Sequence, residues 1–218
     1  MSDALLDRLV RSPQLGLYVD RLTGVLSEER RRREQFYEQM NEGVKQEFIN
    51  GEVVVHSPVK MRHEGASRGF MELWDAHVRV RKLGYVSHEK LLICLTRNDY
   101  EPDICYFRAE IAAGFTPAQM KFPAPDIIVE VLSESTEAVD RGLKFEDYAA
   151  HGVREYFIVD PEHEVVEQYL LKGDAYVLHL KMNSGSLRSH VIPSFEIPVR
   201  AIFDPQENLA ALRKLLAE

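Results

Sequence analysis

The stretch PDIIVEVLSES, residues 125–135, restricts the fold more than any other part of the sequence. Its centre is dense in β-branched and aliphatic side chains and is bounded by a proline and by serines, which predicts a strand buried on both faces. Glu130 lies in the middle of this strand. An ionised carboxylate buried without a partner costs several kcal/mol. The sequence therefore predicts a lysine, an arginine or water at a strand end beside Glu130, or a metal-binding or acid/base role with a shifted pKa.

A second acidic residue, Asp103, lies at the start of another predicted strand. Asp103 follows Glu101 and Pro102 and precedes the apolar run ICYF. Such a residue is often only part of a turn. Two carboxylates on strands, however, can converge on a hard divalent cation, which requires two or more oxygen ligands. The two interpretations, a turn residue and a ligand, both remain open for Asp103 on this pattern alone.

Polar residues follow Glu130 on the next predicted helix. Asp140, Lys144 and Tyr148 recur at four-residue spacing and so share one face. An exposed ion pair at this spacing contributes only about 0.3 to 0.5 kcal/mol. The spacing is compatible with a surface pair and equally with a lysine directed at Glu130.

The remaining pattern predicts alternating helices and strands. Asn50 and Gly51 predict a two-residue hairpin turn. Apolar spacing predicts a helix over residues 63–84. The runs KLLICL and PDICYF are interpreted as paired antiparallel strands. Further predicted elements are a charged helix with a solvated face over 27–42, a helix over 136–151, a hairpin from REYFIVD to VVEQYLL, strands over 175–181 and 187–192, and an amphipathic C-terminal helix over 205–218. The order of elements predicts one α/β or α+β domain with a mostly antiparallel or mixed sheet.

Composition limits the classes of function. The formal net charge is −8, which argues against coating of nucleic acid by bulk electrostatics. A phosphate-bearing substrate therefore needs a local cationic patch or bound metal ions. We find no apolar signal segment and no run of about eighteen apolar residues, so we expect no membrane span and a cytoplasmic location. Cys94 and Cys105 lack metal-ligand spacing and fit a reducing compartment.

Two motifs give a family resemblance. APDIIVEVLSEST, followed by DRGLKFEDYAAHGVREYFIVDP, resembles the signature of the Uma2 family, restriction-endonuclease-like proteins of the PD-(D/E)XK superfamily. The similarity extends over residues 43–172 with its parts in order. It implies a restriction-endonuclease-like mixed sheet flanked by helices, with added β-hairpins. We expect a single domain over 1–218, with this core at about 43–200, an N-terminal helical extension and a C-terminal amphipathic helix.

The resemblance also implies a site. Asp103 matches the strand aspartate and Glu130 the acidic residue of the motif, and both would hold Mg²⁺ or Mn²⁺. Glu47, from the first hairpin, would add a carboxylate. The motif lysine is absent because position 132 is Leu, and the family pattern supplies Lys144 from the next helix instead. Possible accessory residues are His63, Asp126 and Asp140, with helix capping favoured for His63 and backbone hydrogen bonding for Asp126.

The activity implied by the resemblance is that of a metal-dependent endonuclease or phosphodiesterase acting on DNA, working as a homodimer. A non-catalytic homologue that keeps the fold for nucleic-acid or protein binding is the alternative. A third hypothesis is an acidic assembly domain whose hairpins pair between protomers.

Overall fold

The computed structural model describes residues 3–41 and 43–217, and for residue 3 the backbone alone. The ends of two predicted helices, at positions 42 and 218, lie outside the described residues. The α-helices are α1 (Asp3–Val10), α2 (Leu15–Gln39), α3 (Met61–Arg81), α4 (Ala109–Ala112), α5 (Glu137–Asp140), α6 (Leu143–Ala150) and α7 (Pro205–Ala217). The strands are β1 (Gln46–Ile49), β2 (Glu52–Val55), β3 (Gly84–His88), β4 (Leu92–Cys94), β5 (Asp99–Tyr100), β6 (Ile104–Arg108), β7 (Lys121–Phe122), β8 (Ile127–Val131), β9 (Glu155–Asp160), β10 (Val165–Lys172), β11 (Ala175–Met182), β12 (Ser186–Arg188) and β13 (Glu196–Pro198).

The larger sheet is mixed and has β8 near its middle. Its strand order is β11-β10-β9-β8-β6-β3. Strand β8 runs parallel to β9 and antiparallel to β6. Every residue of β8 is buried, as expected for a strand with neighbours on both edges and helices on both faces. The strand buried on both faces is therefore confirmed.

Alternation along β8 separates two apolar clusters. Ile127, Val129 and Val131 pack with the α3 residues Phe70 and Trp74. Ile128 packs with Tyr148 of α6 on the opposite face. Since successive side chains of a strand point to opposite faces, Glu130 belongs to the α6 side.

The smaller sheet is also mixed and carries the predicted hairpin. Its strand order is β2-β1-β5-β4-β7, with β4 and β7 parallel. Asn50 and Gly51 join β1 to β2 with positive φ angles of 52° and 87°. These are the conformations that a two-residue hairpin turn needs. The hairpin is confirmed.

The predicted pairing of KLLICL with PDICYF is wrong. Strand β4 pairs with the short β5, which lies inside the predicted loop. The turn between them is closed by a hydrogen bond from Leu95 N to Asn98 O. Strand β6 instead crosses to the larger sheet and pairs with β3 and β8. The tighter turn before Pro102 ends the first hairpin earlier than the apolar pattern indicated.

Two predicted helices differ in the structure. The helix predicted over 27–42 begins earlier, because α2 starts at Leu15. Its charged part is more than a solvated face, because Glu29 is buried and ion-paired with Arg97. The predicted helix over 136–151 is divided into α5 and α6. The predicted C-terminal helix forms as α7, with Leu215 buried and Leu209 and Leu216 exposed.

The later strands form close to their predicted bounds, except the last of them. The hairpin of β9 and β10 is confirmed, and β11 extends it. Of the predicted strand over 187–192, only Ser186–Arg188 forms, and it pairs with β13. Within residues 3–41 and 43–217, every helix is too short or too polar to span a bilayer.

Candidate active site

The acidic residues that the sequence singled out meet on the α6 side of β8. Glu130 comes from β8, Asp103 precedes β6, and Glu47 comes from β1 of the other sheet. Asp140 ends α5 and Lys144 lies in the first turn of α6. None of these five residues is more than 3% exposed. The structure thus joins both sheets at one buried polar cluster.

Lys144 is the cation beside Glu130. Its Nζ atom lies 2.9 Å from Glu47 Oε1, 3.1 Å from Glu130 Oε1 and 3.4 Å from Asp140 Oδ1. The Tyr148 hydroxyl donates a second hydrogen bond, of 2.9 Å, to Glu130 Oε1. An ammonium group and a phenol thus contact the buried Glu130 carboxyl and offset part of the cost of its burial.

Asp103 has a different set of partners. Lys45 Nζ lies 2.7 Å from its Oδ1 atom, and the backbone N–H of Val131 donates to Oδ2 at 2.8 Å. His63 Nε2 is 3.5 Å from Oδ2, which is longer than an ordinary hydrogen bond. Neither ring nitrogen of this buried histidine has a hydrogen-bond partner. The bond to Val131 fixes Asp103 next to Glu130.

Glu47 serves to hold Lys144. Its Oε1 atom also accepts a hydrogen bond from the backbone N–H of Glu101, and its Oε2 atom lies 2.9 Å from His56 Nε2. With both oxygens engaged, Glu47 fixes the position of the Lys144 ammonium from the side of β1.

The carboxyl groups differ in their affinity for protons. Burial raises the pKa of Glu130 to about 8, because the lowering by Lys144 is countered by Asp140 and Asp103. Burial opposes ionisation of Glu47 as well, but Lys144 and His56 lower its pKa to about 2. Lys144 thus contacts one glutamate whose pKa is raised and one whose pKa is lowered.

The other members of the cluster follow the same physical causes. Burial favours a neutral Asp103, yet Lys45 and His63 hold its pKa well below the ordinary value. Burial raises the pKa of Asp140, against the effect of Lys144. Burial disfavours the charged form of Lys144, but Glu130, Glu47 and Asp140 raise its pKa well above the ordinary value. Lys144 therefore stays charged.

A cavity of about 790 Å³ gives access to part of this cluster. Asp103, Glu130, Asp140 and Lys144 line it, together with Lys45 and His63. Glu47 lies behind Lys144 and is not part of the lining. Among the lining residues, eight acids outnumber five lysines and arginines. The cavity is acidic, so an anionic substrate needs additional positive charge there.

Asp126 does not take part in the cluster. Its carboxylate accepts hydrogen bonds from the backbone N–H and the guanidinium of Arg108. These bonds agree with the expectation that Asp126 accepts a hydrogen bond from the backbone, rather than with a role as an accessory ligand. Ser133 Oγ lies 2.9 Å from Thr136 Oγ1, within the turn after β8.

The chemistry of the cluster fits a hard divalent cation. Asp103, Glu130 and Asp140 offer carboxylate oxygens at the cavity, and Asp140 Oδ1 is buried without a hydrogen bond. These carboxylates pair with Lys45 and Lys144 instead. In the described part of the chain, the His, Cys, Asp and Glu side chains form no group of three or more placed to hold a metal ion. The types of side chain therefore fit a divalent cation, whereas coordination by all three carboxylates requires rotation of their side chains.

Sequence reasoning missed two residues of the site, Lys45, which binds Asp103, and His56, which binds Glu47. It placed Tyr148 on the helix face of Lys144 but did not predict its hydrogen bond to Glu130. One signal was present for Lys45, since it precedes Glu47 by two positions and alternation places both on one face of the strand. The pairing of His56 with Glu47 follows only from closure of the β1–β2 hairpin.

Comparison with known proteins gives a family and a fold. The Uma2 family model, described as "Putative restriction endonuclease", matches residues 33–200. An uncharacterised protein of Synechocystis sp. is 29% identical over 133 residues, which cover 60% of this chain and 74% of that protein.

Two solved structures are similar. A crystal structure described as a putative nuclease belonging to DUF820, from Anabaena variabilis, has a TM-score of 0.67 at 14% identity and covers 82% of this chain and 97% of its own. The type IIG restriction endonuclease BpuSI aligns with a TM-score of 0.37 at 14% identity, over 75% of this chain and 18% of its own. The first of these shows the restriction-endonuclease-like nuclease fold. Because the family model spans most of its length, the chain belongs to the Uma2 family of restriction-endonuclease-like proteins.

Proposed function

We propose that the protein is a Mg²⁺- or Mn²⁺-dependent endonuclease that hydrolyses phosphodiester bonds of DNA. One observation carries the proposal. Asp103, directly before β6, and Glu130 of β8 line one cavity of a nuclease fold, where the backbone N–H of Val131 holds Asp103 next to Glu130 and Lys144 Nζ lies 3.1 Å from Glu130 Oε1. Buried carboxylates with perturbed pKa values next to a fixed cation are typical of catalytic sites.

Asp103 and Glu130 are the proposed ligands, with Asp140 as a third oxygen donor. A divalent ion, when bound, neutralises a phosphate and lowers the pKa of its bound water. Lys45 keeps Asp103 ionised and ready to bind. Lys144, positioned by Glu47, places a permanent positive charge at Glu130, where it stabilises the charge that develops on the scissile phosphate.

Isosteric neutral variants test this assignment. Asp103→Asn and Glu130→Gln should each lower Mn²⁺-dependent nicking of plasmid DNA by at least about a hundredfold, since ligands matter at least as much as the groups that orient them. Glu155→Gln is the matched control, because Glu155 is a buried glutamate of β9 that hydrogen-bonds Ser189 outside the cavity. Circular dichroism verifies folding of each variant. Full cleavage by both site variants would remove these residues from the mechanism.

A binding module without catalysis is the second candidate. It is favoured by the two lysines, which already pair with the carboxylates, and by the absence of a three-ligand group among the described residues. Calorimetric titration of Mn²⁺ distinguishes the two. A nuclease should bind Mn²⁺ in the wild type and lose that binding in Glu130→Gln, whereas a binding module should give the same trace for both.

We also propose a homodimer joined through α2. The apolar residues Val19, Leu22, Val25 and Leu26 are exposed on this helix. The stretch 15–26 contains one acid and one base, so two copies can meet there without the repulsion expected of chains with a net charge of −8. On this proposal residues 43–200 form the catalytic core, and the N-terminal helices associate.

The proposed location is the cytoplasm. Cys94 and Cys105 are both free thiols. This is the cysteine state expected in a reducing compartment.

A further inference from the structure

The mouth of the acidic cavity has a basic edge that the proposed catalytic residues do not use. The segment from Ser57 to Lys60 and the first turn of α3, including Arg62 and His63, line this side. Helix α3 is 21 residues long. The backbone N–H groups of His63 and Glu64 donate to the Lys60 carbonyl at its start, and the N–H groups before them have no carbonyl within the helix to bind. Together with the helix dipole, they favour an anion at this end.

His63 is an independent indication of a ligand here. Its side chain is 6% exposed, both ring nitrogens lack a hydrogen-bond partner, and it lines the cavity. A buried polar group without a partner is costly. The ring lies between the acidic cluster and the N-terminus of α3, since Nε2 is 3.5 Å from Asp103 Oδ2. An oxygen atom of a ligand entering the cavity can satisfy it.

The two cationic side chains of this edge form ion pairs with glutamates. Lys60 Nζ lies 2.5 Å from Glu134 Oε1, and an Arg62 guanidinium nitrogen lies 3.0 Å from Glu162 Oε2. Both ion pairs link the start of α3 to loops across the cavity mouth, and all four residues line it. The side chains of Lys60 and Glu134 are 62% and 80% exposed. Exposed pairs of this kind contribute at most about 1 kcal/mol, so a stronger anion can replace them.

We infer that Lys60, Arg62 and the N-terminus of α3 form a subsite for a backbone phosphate of the nucleic-acid strand, and that Glu134 and Glu162 remain paired with Lys60 and Arg62 until the strand binds. This inference rests on the proposed function, because the strand is the substrate of the neighbouring acidic site. The two glutamates act as competing anions and set the affinity for the strand. Lys60 and Arg62 are positioning residues, since they contact the strand away from the reacting atoms.

The test measures binding of a fluorescein-labelled single-stranded DNA oligonucleotide by fluorescence anisotropy, once in EDTA and once in Ca²⁺. Lys60→Gln and Arg62→Gln should each raise Kd by about three- to tenfold, because a charge-assisted contact to phosphate is lost. The plot of log affinity against log salt should become shallower by about 0.7 to 1 for each variant. Glu134→Gln and Glu162→Gln should lower Kd by a similar factor, because they release the cations.

Arg79→Gln and Asp75→Asn are the matched controls. These residues form an exposed ion pair of 3.2 Å farther along the same helix, and their variants should bind as the wild type does. Unchanged Kd and salt dependence in the Lys60 and Arg62 variants would overturn the subsite, even if the wild type cleaves DNA. A wild type that fails to bind in both buffers would overturn it too. If binding depends on Lys60 and Arg62 while no divalent metal gives cleavage, the subsite stands and the nuclease proposal fails.

Discussion

At the level of single residues, the protonation of Glu130 sets the pH behaviour of the buried cluster. Burial is the largest cause of its raised pKa, and the nearby Asp140 and Asp103 add to the effect of burial. Lys144 and Lys45 act in the opposite direction but do not outweigh it. Glu130 therefore holds a proton at neutral pH, while Glu47 on the other side of Lys144 is ionised.

This difference predicts a pH-dependent stability. The unfolded chain releases the Glu130 proton near pH 4.5 and the folded protein near pH 8, so the folded state binds more protons between these values. The free energy of unfolding should fall as pH rises through this window, by a few kcal/mol at most. Glu130→Gln removes this contribution and should make that part of the curve less steep, with the remaining slope due to groups such as Asp140, whose pKa is also raised. Urea unfolding at several pH values in EDTA measures it.

The control for this experiment is Glu146→Gln. Glu146 is an exposed glutamate of α6, so its variant should retain the wild-type slope. The lowered pKa values of Glu47 and Asp103 act below pH 4.5, outside the window. Parallel curves for wild type and Glu130→Gln above pH 5 would show that Glu130 is ionised in the folded protein.

The residues of the cluster were predictable only in part. Asp103 and Glu130 stand out in the sequence because a charge interrupts an apolar strand pattern. Lys144 and Glu47 needed the family resemblance, since spacing alone also fits a surface ion pair. Lys45 was missed because its partner, Asp103, lies 58 positions away, and only tertiary packing brings them together.

At the level of elements, close packing of α3 depends on a glycine. A Cβ atom at Gly69 would lie 2.5 Å from the carbonyl oxygen of Ile202, in the 3-10 turn before α7. The Gly69 carbonyl also accepts a hydrogen bond from Asn208 of α7. Helix α3 therefore approaches the C-terminal segment more closely than any side chain permits.

Two alanine substitutions one turn apart test this packing. Gly69→Ala should lower the free energy of unfolding by about 1 to 3 kcal/mol, because backbone atoms must move apart. Gly65→Ala, on the same helix with nothing within 4 Å of its added Cβ, should be neutral or raise stability by about 0.5 to 1 kcal/mol. Urea unfolding compares them. Equal effects of the two substitutions would mean that α3 and the turn can separate at no cost.

Element boundaries were less predictable than element types. Periodicity predicted one helix over 136–151, but the chain leaves helical geometry at Gly142, with φ −118° and ψ −95°. A Cβ atom there would lie 2.8 Å from Ala138 O, so the position favours glycine. Similarly, β5 has two residues, too few to give an alternating pattern. Short elements and breaks are set by contacts that periodicity does not contain.

At the level of the whole molecule, the site depends on both sheets together. Glu47 and Lys45 come from the region of β1, whereas Asp103 and Glu130 come from the larger sheet. Lys144 and Lys45 connect the two groups through ion pairs. The family motifs occur along this chain in the expected order, and on that basis the resemblance predicted that these residues meet at one site. It did not give the pairing of the strands.

Helix α2 extends the same argument to assembly. Leu15, Leu22, Glu29 and Phe36 recur every seven residues and so lie along one helix face. Its C-terminal part is covered by the protein, where Phe36 stacks on Phe48 of β1. Its N-terminal part is exposed, with Leu22 at 56%. Contiguous apolar surface of this kind typically marks an interface, and in the proposed dimer a second α2 would supply the matching apolar face.

Charge placed on this face should therefore separate the protomers. We expect the wild type to show twice the chain mass of 25.1 kDa in light scattering coupled to size-exclusion chromatography. Leu22→Glu should shift the mass toward that of one chain, because each dimer would bury two carboxylates without partners. Val80→Glu, at an exposed apolar position of α3, should remain dimeric. Since the buried polar cluster lies within one chain, the monomeric variant should still bind Mn²⁺. A monomeric wild type, or a Leu22→Glu variant that stays dimeric, would exclude α2 as the contact.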